Sequence, residues 1–358
     1  MKIAFLGDVA LFGKFDLSNK KVFEYFLDVK DYLSNFDLVV ANLEAPFVSE
    51  LRSVGNKSAC IYSDVSNVSI LKYLGVNIVC LANNHIFDFG THGLEETIRI
   101  LENNDIDWFG IGGKEILIEK EKIAMHSYCS YNTNPLGMGI KNGVSCLNFD
   151  TVVDKFLKNS KKGLFNVVCN HSGVENVNQP SEDDIKFARY LSTLDTYLYI
   201  GHHPHVIQGC EVYNSSHICY SLGNFCFDDI HDHRNGQLLV KQSEHNKVGL
   251  IKSVEIIDGE LISSDSILIY QSFEKMLVCS TEHEEFKYDA DRQLSKIDNS
   301  YSLRRNKKIN VINSQNNSRR DLVWLLSRME YQTITRVLER KINKFKYKKV
   351  FSSKLKGF

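Results

Sequence analysis

The chain has 358 residues, 43% hydrophobic and 24% charged, a balance that excludes wholesale disorder and a membrane-embedded bundle. That length accommodates one large α/β domain with an appendage, or two modest domains. A formal net charge of -1 conceals a basic end: from Arg304 to Lys356, sixteen Lys and Arg face three acids, Asp321, Glu330 and Glu339.

The opening stretch, MKIAFLGDVALFG, reaches Asp8 after a short apolar run. It predicts a buried strand leading into a functional loop, not a signal peptide or a membrane span. Further strands are predicted at DLVVAN, IVCLAN, FNVVCNH, TYLYIGHH and ICYSLGNF, and helices over 20–33, 64–74, 92–104 and 181–192. Such alternation predicts an α/β architecture with mostly buried strands. From 248 to 270 the pattern becomes a meander with Asp258-Gly259 as a hairpin turn, so antiparallel strands should close the sheet there.

Residues 280–318 are polar and read as a connector with little core. Over 320–346, Leu322, Leu325, Leu326, Met329, Ile334, Val337, Leu338, Ile342 and Phe345 recur at helical spacing before KYKKVFSSKLK. That predicts a basic amphipathic helix with a basic end. Nine cysteines without a C-x-x-C, several inside apolar runs, predict buried free thiols in a reducing cytosol.

Most of the predicted strands end on Asp, Asn, Glu or His, and ligands of α/β sheets collect at the carboxyl ends of strands. Asp8, Asn42, Glu44, Asn83, Asn84, His85, His171, His203 and His205 should therefore share one rim. Carboxylates, amide oxygens and imidazoles together are the ligand types of a pair of divalent ions such as Mn, Fe or Zn. A two-metal site needs one bridging carboxylate, and its chemistry is to activate water and neutralise phosphoryl oxygens. His203 and His205 form an H-x-H pair whose side chains converge if the segment turns sharply. His202 is expected to point away from that pair. His231 and His233, beside Asp228, Asp229 and Asp232, are expected in a solvated loop at the site mouth, and His92 on the surface.

The ordered set GD, NLEAP, LANNHIFDFGTHGLEET, HSGVE, GHHPHVIQG and YSLGNFCFD, spanning residues 1 to about 230, resembles the CapA family of capsule (poly-γ-glutamate) biosynthesis proteins. That family belongs with the calcineurin-like metallophosphoesterases. The resemblance implies a β-sandwich flanked by helices (αββα) with a dinuclear metal centre at one edge, here followed by a helical basic extension. It implies that Asp8 and His205 ligate a first metal, that Asn84, His171 and His203 hold a second, and that Glu44 bridges them. His85 would be the general acid, oriented by Asp88. Asn42, Asn83 and Asn224 would contact substrate or support the ligands. Two departures from the broad phosphoesterase pattern, Val9-Ala10 in place of the D-x-H histidine and Glu44 in place of Asp, are characteristic of the CapA branch.

The function expected is a metal-dependent phosphomono- or diesterase linked to capsule or surface-polysaccharide biosynthesis. The alternative is a non-hydrolytic component of a capsule assembly complex. Implied partners are a phosphorylated small-molecule or polymer-linked substrate, capsule assembly proteins, and an anionic membrane surface met by the basic tail; no nucleic-acid module is recognisable. The expected location is cytoplasmic, peripheral to the inner membrane face. The expected division is a catalytic domain over 1–275, a connector over 276–318 and a basic tail over 319–358.

Overall fold

The apolar run at the start of the chain becomes the centre of a sheet. In the computed structural model, which describes residues 1–51, 59–279, 283–318 and 331–358, β1 (Lys2–Val9) lies beside β2 (Leu38–Leu43), followed outward by β3 (Ile78–Cys80) and β4 (Asp107–Phe109), all parallel. A second sheet follows in the chain: β5 (Ile116–Ile118), β6 (Ile123–Cys129), β7 (Phe165–His171), β8 (Tyr197–His202), β9 (Ile207–Tyr213) and β10 (Ser216–Leu222). Its order is β5-β6-β7-β8-β10-β9, with β6, β7, β8 and β10 parallel.

The chain then returns to the first sheet. β11 (Asn224–Cys226) pairs with the end of β1, a small hairpin forms from β12 (Ile230–His231) and β13 (Leu238–Val240), and β14 (Val248–Ile257) pairs antiparallel with the start of β1. β15 (Glu260–Gln271) and β16 (Met276–Cys279) extend that edge. Asp258 and Gly259, both with left-handed φ, make the predicted β14–β15 turn.

One core fills the space between the sheets, drawing Phe5, Val40 and Ile78 from the first and Val167, Leu198 and Ile200 from the second. Strands covered on both faces need unbroken apolar sequence, which is why these runs were legible. On the outer face of the second sheet, Tyr197, Tyr199 and Tyr220 meet Val152 and Phe156 of the Phe149–Ser160 helix and Phe187 and Leu191 of the Glu182–Ser192 helix. The layers are helix, sheet, sheet, helix. No described helix is long and apolar enough to cross a membrane.

Two expectations change, and a third is met over the residues described. Residues 284–318 are not a bare connector: helices Glu284–Ser295 and Tyr301–Ser318 form there, burying Ala290, Leu294 and Tyr301. The thiols are not all free, because Cys210 and Cys219 face each other in the β9–β10 register, 4.1 Å apart at Cα, and are joined as a disulfide. The other seven remain thiols. Of the basic helix expected over 320–346, Tyr331–Val350 is helical; Leu322, Leu325, Leu326 and Met329 lie outside the described residues.

Candidate metal centre

Register brings the polar residues together before any side chain is considered. Asp8 sits opposite Asn42 on β2 and opposite Asn224 on β11, while His171 sits opposite His202 on β8. The carboxyl ends of β1, β2 and β3 thus face those of β7 and β8 across the sandwich edge. Gly201 lets β8 approach closely: a Cβ there would collide with the Tyr220 carbonyl oxygen. Beyond β8 the backbone leaves ordinary strand geometry. His203 has φ +95° and His205 φ +57°, conformations costing about 1–3 kcal/mol each for residues with a Cβ and concentrated at functional sites.

Glu44 is fully buried between the two sets of histidines. Its Oε1 lies 3.7 Å from His171 Nε2 and 3.6 Å from His205 Nε2. Ligand atoms of Glu44, His203 and His205 all fall within 4.8 Å of one another. Asn84 Oδ1 and His171 Nε2 are 2.8 Å apart, so that amide oxygen and imidazole also face one point. Asp8 lies deeper. Asn42 Nδ2 donates to its Oδ1 at 2.8 Å, the His203 amide N–H donates to its Oδ2 at 3.2 Å, and His205 Nδ1 stands 3.4 Å from Oδ2.

His202, expected to point away, instead places Nδ1 3.2 Å from Asp8 Oδ1 in full burial. The left-handed backbone at His203 breaks strand alternation, so counting alternate residues misplaced it. Burial pulls the Asp8 carboxyl upward, but the His202 and His205 imidazoles and the Asn42 amide outweigh it and hold Asp8 below the usual range.

The nitrogens are prepared as acceptors. Burial, reinforced by the neighbouring imidazoles, pushes His171 well below its ordinary value. Burial pushes His203 down to about 4 although Glu175 pulls it upward. Neutral imidazole is the form that ligates a cation. His205 Nδ1 is 2.8 Å from Asn224 Oδ1, and Asn224 Nδ2 donates to the Asn246 carbonyl at 3.0 Å. That orientation makes Asn224 Oδ1 an acceptor of His205 Nδ1–H, leaving the lone pair on Nε2, the atom facing Glu44. His203 Nδ1 is buried with no hydrogen bond among the described residues. An oxygen-and-imidazole donor set with an orphaned buried nitrogen fits divalent ions.

Asn83 fixes the turn rather than facing the centre. Its Oδ1 accepts the amide N–H groups of His85 and Ile86 at 3.1 and 2.9 Å, and its Nδ2 donates to the Leu43 carbonyl at 2.8 Å. This presents Asn84 and His85 to the rim. His85 Nδ1 lies 2.6 Å from Asp88 Oδ2, which also accepts the Ile61 amide N–H at 3.0 Å. Of the remaining histidines, His231 and His92 are exposed, while His233 packs 6.0 Å from the Phe89 ring and 6.4 Å from Tyr62.

Sequence reasoning missed the loop after His171. Asn178 Nδ2 donates to Asp289 at 2.8 Å, Gln179 Nε2 to Gln293 at 2.9 Å, and Tyr301 OH to the Pro180 carbonyl at 2.9 Å. Arg305 Nε adds a bond to the Gln179 carbonyl at 3.1 Å. The helices after residue 283 therefore grip the segment that leaves a rim histidine. Nothing in their polar sequence signalled this, because the partners are amides and carbonyls more than a hundred residues away.

Residues 2–229 match the family described as bacterial capsule synthesis protein PGA_cap. Capsule biosynthesis protein CapA of Bacillus anthracis is 30% identical over 219 residues, covering 57% of this chain and 53% of the relative. PGA biosynthesis protein CapA of Bacillus subtilis (strain 168) is 28% identical over 249 residues, covering 64% and 63%. The chain thus spans 53% to 63% of the length of these curated relatives. Among solved structures, 5′-nucleotidase from Candida albicans SC5314 aligns with a TM-score of 0.41 at 9% identity, covering 88% of this chain and 58% of that one. Sulfate thiohydrolase SoxB of Thermus thermophilus aligns with a TM-score of 0.38 at 11% identity, covering 75% and 45%.

Proposed function

Because this chain belongs to the PGA_cap family of bacterial capsule synthesis proteins, we propose that it is a metal-dependent phosphohydrolase serving capsule or surface-polymer production. The observation that carries this reading is Glu44, buried between His171 and His205 with His203 alongside. In this reading Asp8, Glu44, Asn84, His171, His203 and His205 would hold the divalent ions. Mn, Fe or Zn bound there would supply Lewis-acid charge to phosphoryl oxygens and acidify water.

The chain's own residues do the rest. Asp88, fixed by the Ile61 amide, accepts a hydrogen bond from His85 Nδ1–H and orients the ring, so that the imidazolium gives its Nε2 proton to the departing oxygen and is left neutral. Asn42 and Asn224 hold Asp8 and His205 in their ligating orientations. The substrate class is a phosphomono- or diester, small or polymer-linked, acted on in the cytoplasm alongside capsule assembly proteins. Residues 1–275 would carry the reaction, with the grip on the loop after His171 coming from the connector over 276–318, ahead of the basic tail over 319–358.

The test is hydrolysis of aryl phosphate mono- and diesters by protein supplied with Mn, Fe or Zn. Turnover lost in His85→Ala supports the reading; no turnover by metal-loaded wild type rejects it. One observation favours a non-hydrolytic assembly component instead: Val9 and Ala10, both buried and apolar, follow an Asp8 already hydrogen-bonded by Asn42 and His203. Metal content without turnover would favour that reading.

A further inference from the structure

The Tyr331–Val350 helix has one face on the protein and another on solvent. On the inner side, Tyr347 OH donates to Asp183 Oδ2 at 2.9 Å and Lys346 Nζ lies 5.4 Å over the Tyr131 ring. Just beyond, Phe351 is fully buried 4.9 Å from the Phe187 ring, and Lys354 pairs with Asp150 at 2.9 Å. These contacts fix the helix against the second sheet's outer helices and against the turn that follows β6, the strand neighbouring His171.

The outward side is unusual for a solvated surface. Leu338, Ile342 and Phe345 are 55%, 51% and 66% exposed, and spacings of four and three put them on one stripe. Lys341, Lys344 and Lys348 form the adjoining row, and Lys349 closes the stripe at its end; all four are exposed. From 338 to 350 the only acid is Glu339. A solvated helix face alternates charge sign and keeps large apolar groups inside. Apolar side chains bordered by a row of like-signed cations instead match a helix lying in the plane of an anionic bilayer, apolar stripe in the acyl boundary and lysines at the headgroups.

We propose that this face of the Tyr331–Val350 helix docks the protein on an anionic lipid surface. The occupant follows from charge complementarity joined to the apolar stripe: an acidic soluble partner would use the lysines alone, and a second copy would bring the same cations against each other. The docking surface is separate from the metal centre and stands whether or not the chain hydrolyses a phosphoester. Its seat on the turn after β6 brings the lipid contact to the side of the molecule where His171 ends its strand.

The experiment is co-sedimentation of the full chain with vesicles of phosphatidylcholine alone or phosphatidylcholine with phosphatidylglycerol. Two variants accompany it: Leu338→Ser/Ile342→Ser/Phe345→Ser and Lys341→Gln/Lys344→Gln/Lys348→Gln. All six positions are exposed, so melting temperature should stay at the wild-type value; Phe345→Ser alone is the fallback if the triple serine variant misfolds. Expected are at least about tenfold tighter binding to the anionic vesicles, weakening with salt, and a loss of about tenfold in each triple variant. Equal binding to both vesicle types would overturn the proposal. So would wild-type binding by the serine variant, which would indicate a simple polycation. Failure to bind vesicles together with self-association abolished by the serine variant would assign the face to a second copy.

Discussion

His126 and His203 are both enclosed by the second sheet and its loops, and burial pushes each down to about 4. Their surroundings differ. His126 Nε2 is 3.1 Å from Asn166 Oδ1 and its Nδ1 is 3.0 Å from Tyr128 OH, so both ring nitrogens are satisfied by neighbours. His203 sits on left-handed backbone with Nδ1 lacking a hydrogen bond among the described residues, facing Glu44 and His205. Folding that leaves one imidazole complete and another strained and under-bonded has spent stability on the second, a pattern of binding sites rather than of cores.

The widest separation should come from Glu44→Gln or His203→Ala. Divalent-ion affinity, followed by titration, should fall by at least about 100-fold and phosphoester turnover by about 1,000-fold. The metal-free His203→Ala protein should melt no lower than wild type, because a buried ring whose Nδ1 lacks a hydrogen bond among the described residues has been removed. A large drop in metal-free stability would erase the contrast with His126.

His85→Ala should lower kcat by roughly 100- to 10,000-fold while metal affinity stays within about twofold of wild type. Parallel loss of both would make His85 a ligand rather than an acid. Asp88→Asn should fall between this variant and wild type, as expected for a residue acting through the ring it orients.

His126 should behave in the opposite way. Unfolded, it takes up a proton near pH 6.5; folded, only near 4. Between those values the unfolded chain binds more protons, so acidification removes stability, by about 3 kcal/mol in total once pH 4 is passed. His126→Gln should be less stable than wild type at pH 7 yet lose less between pH 6.5 and 4 in denaturant titrations, with metal affinity unchanged. The smallest effect belongs to Asn224→Ala. Freeing His205 Nδ1 should weaken metal binding by about tenfold, and an unchanged titration would deny the tautomer assigned to His205.

The strands that sandwich the core were legible because KIAFLG, DLVVAN and FNVVCNH carry the apolar runs IAFLG, LVVA and VVC. β6 was not, because His126 and Ser127 interrupt its apolar pattern, and His126 is accommodated there through Tyr128 on its own strand and Asn166 on β7. The rim was legible as residue types at strand ends, since register carries Asp8 to Asn42 and His171 to His202. His202 itself was misplaced because alternation fails where φ turns positive at His203. The helices after residue 283 escaped notice because they bind through amides and carbonyls of the loop after His171 and bury few large apolar groups.

The proposed chemistry needs divalent ions held among Asp8, Glu44, Asn84, His171, His203 and His205. Elemental analysis of the full chain purified after Mn, Fe or Zn supplementation tests it most directly. About two ions per chain are expected, reduced in Glu44→Gln and retained in His126→Gln. Protein free of metal under every supplement, with wild type and Glu44→Gln indistinguishable, would contradict it.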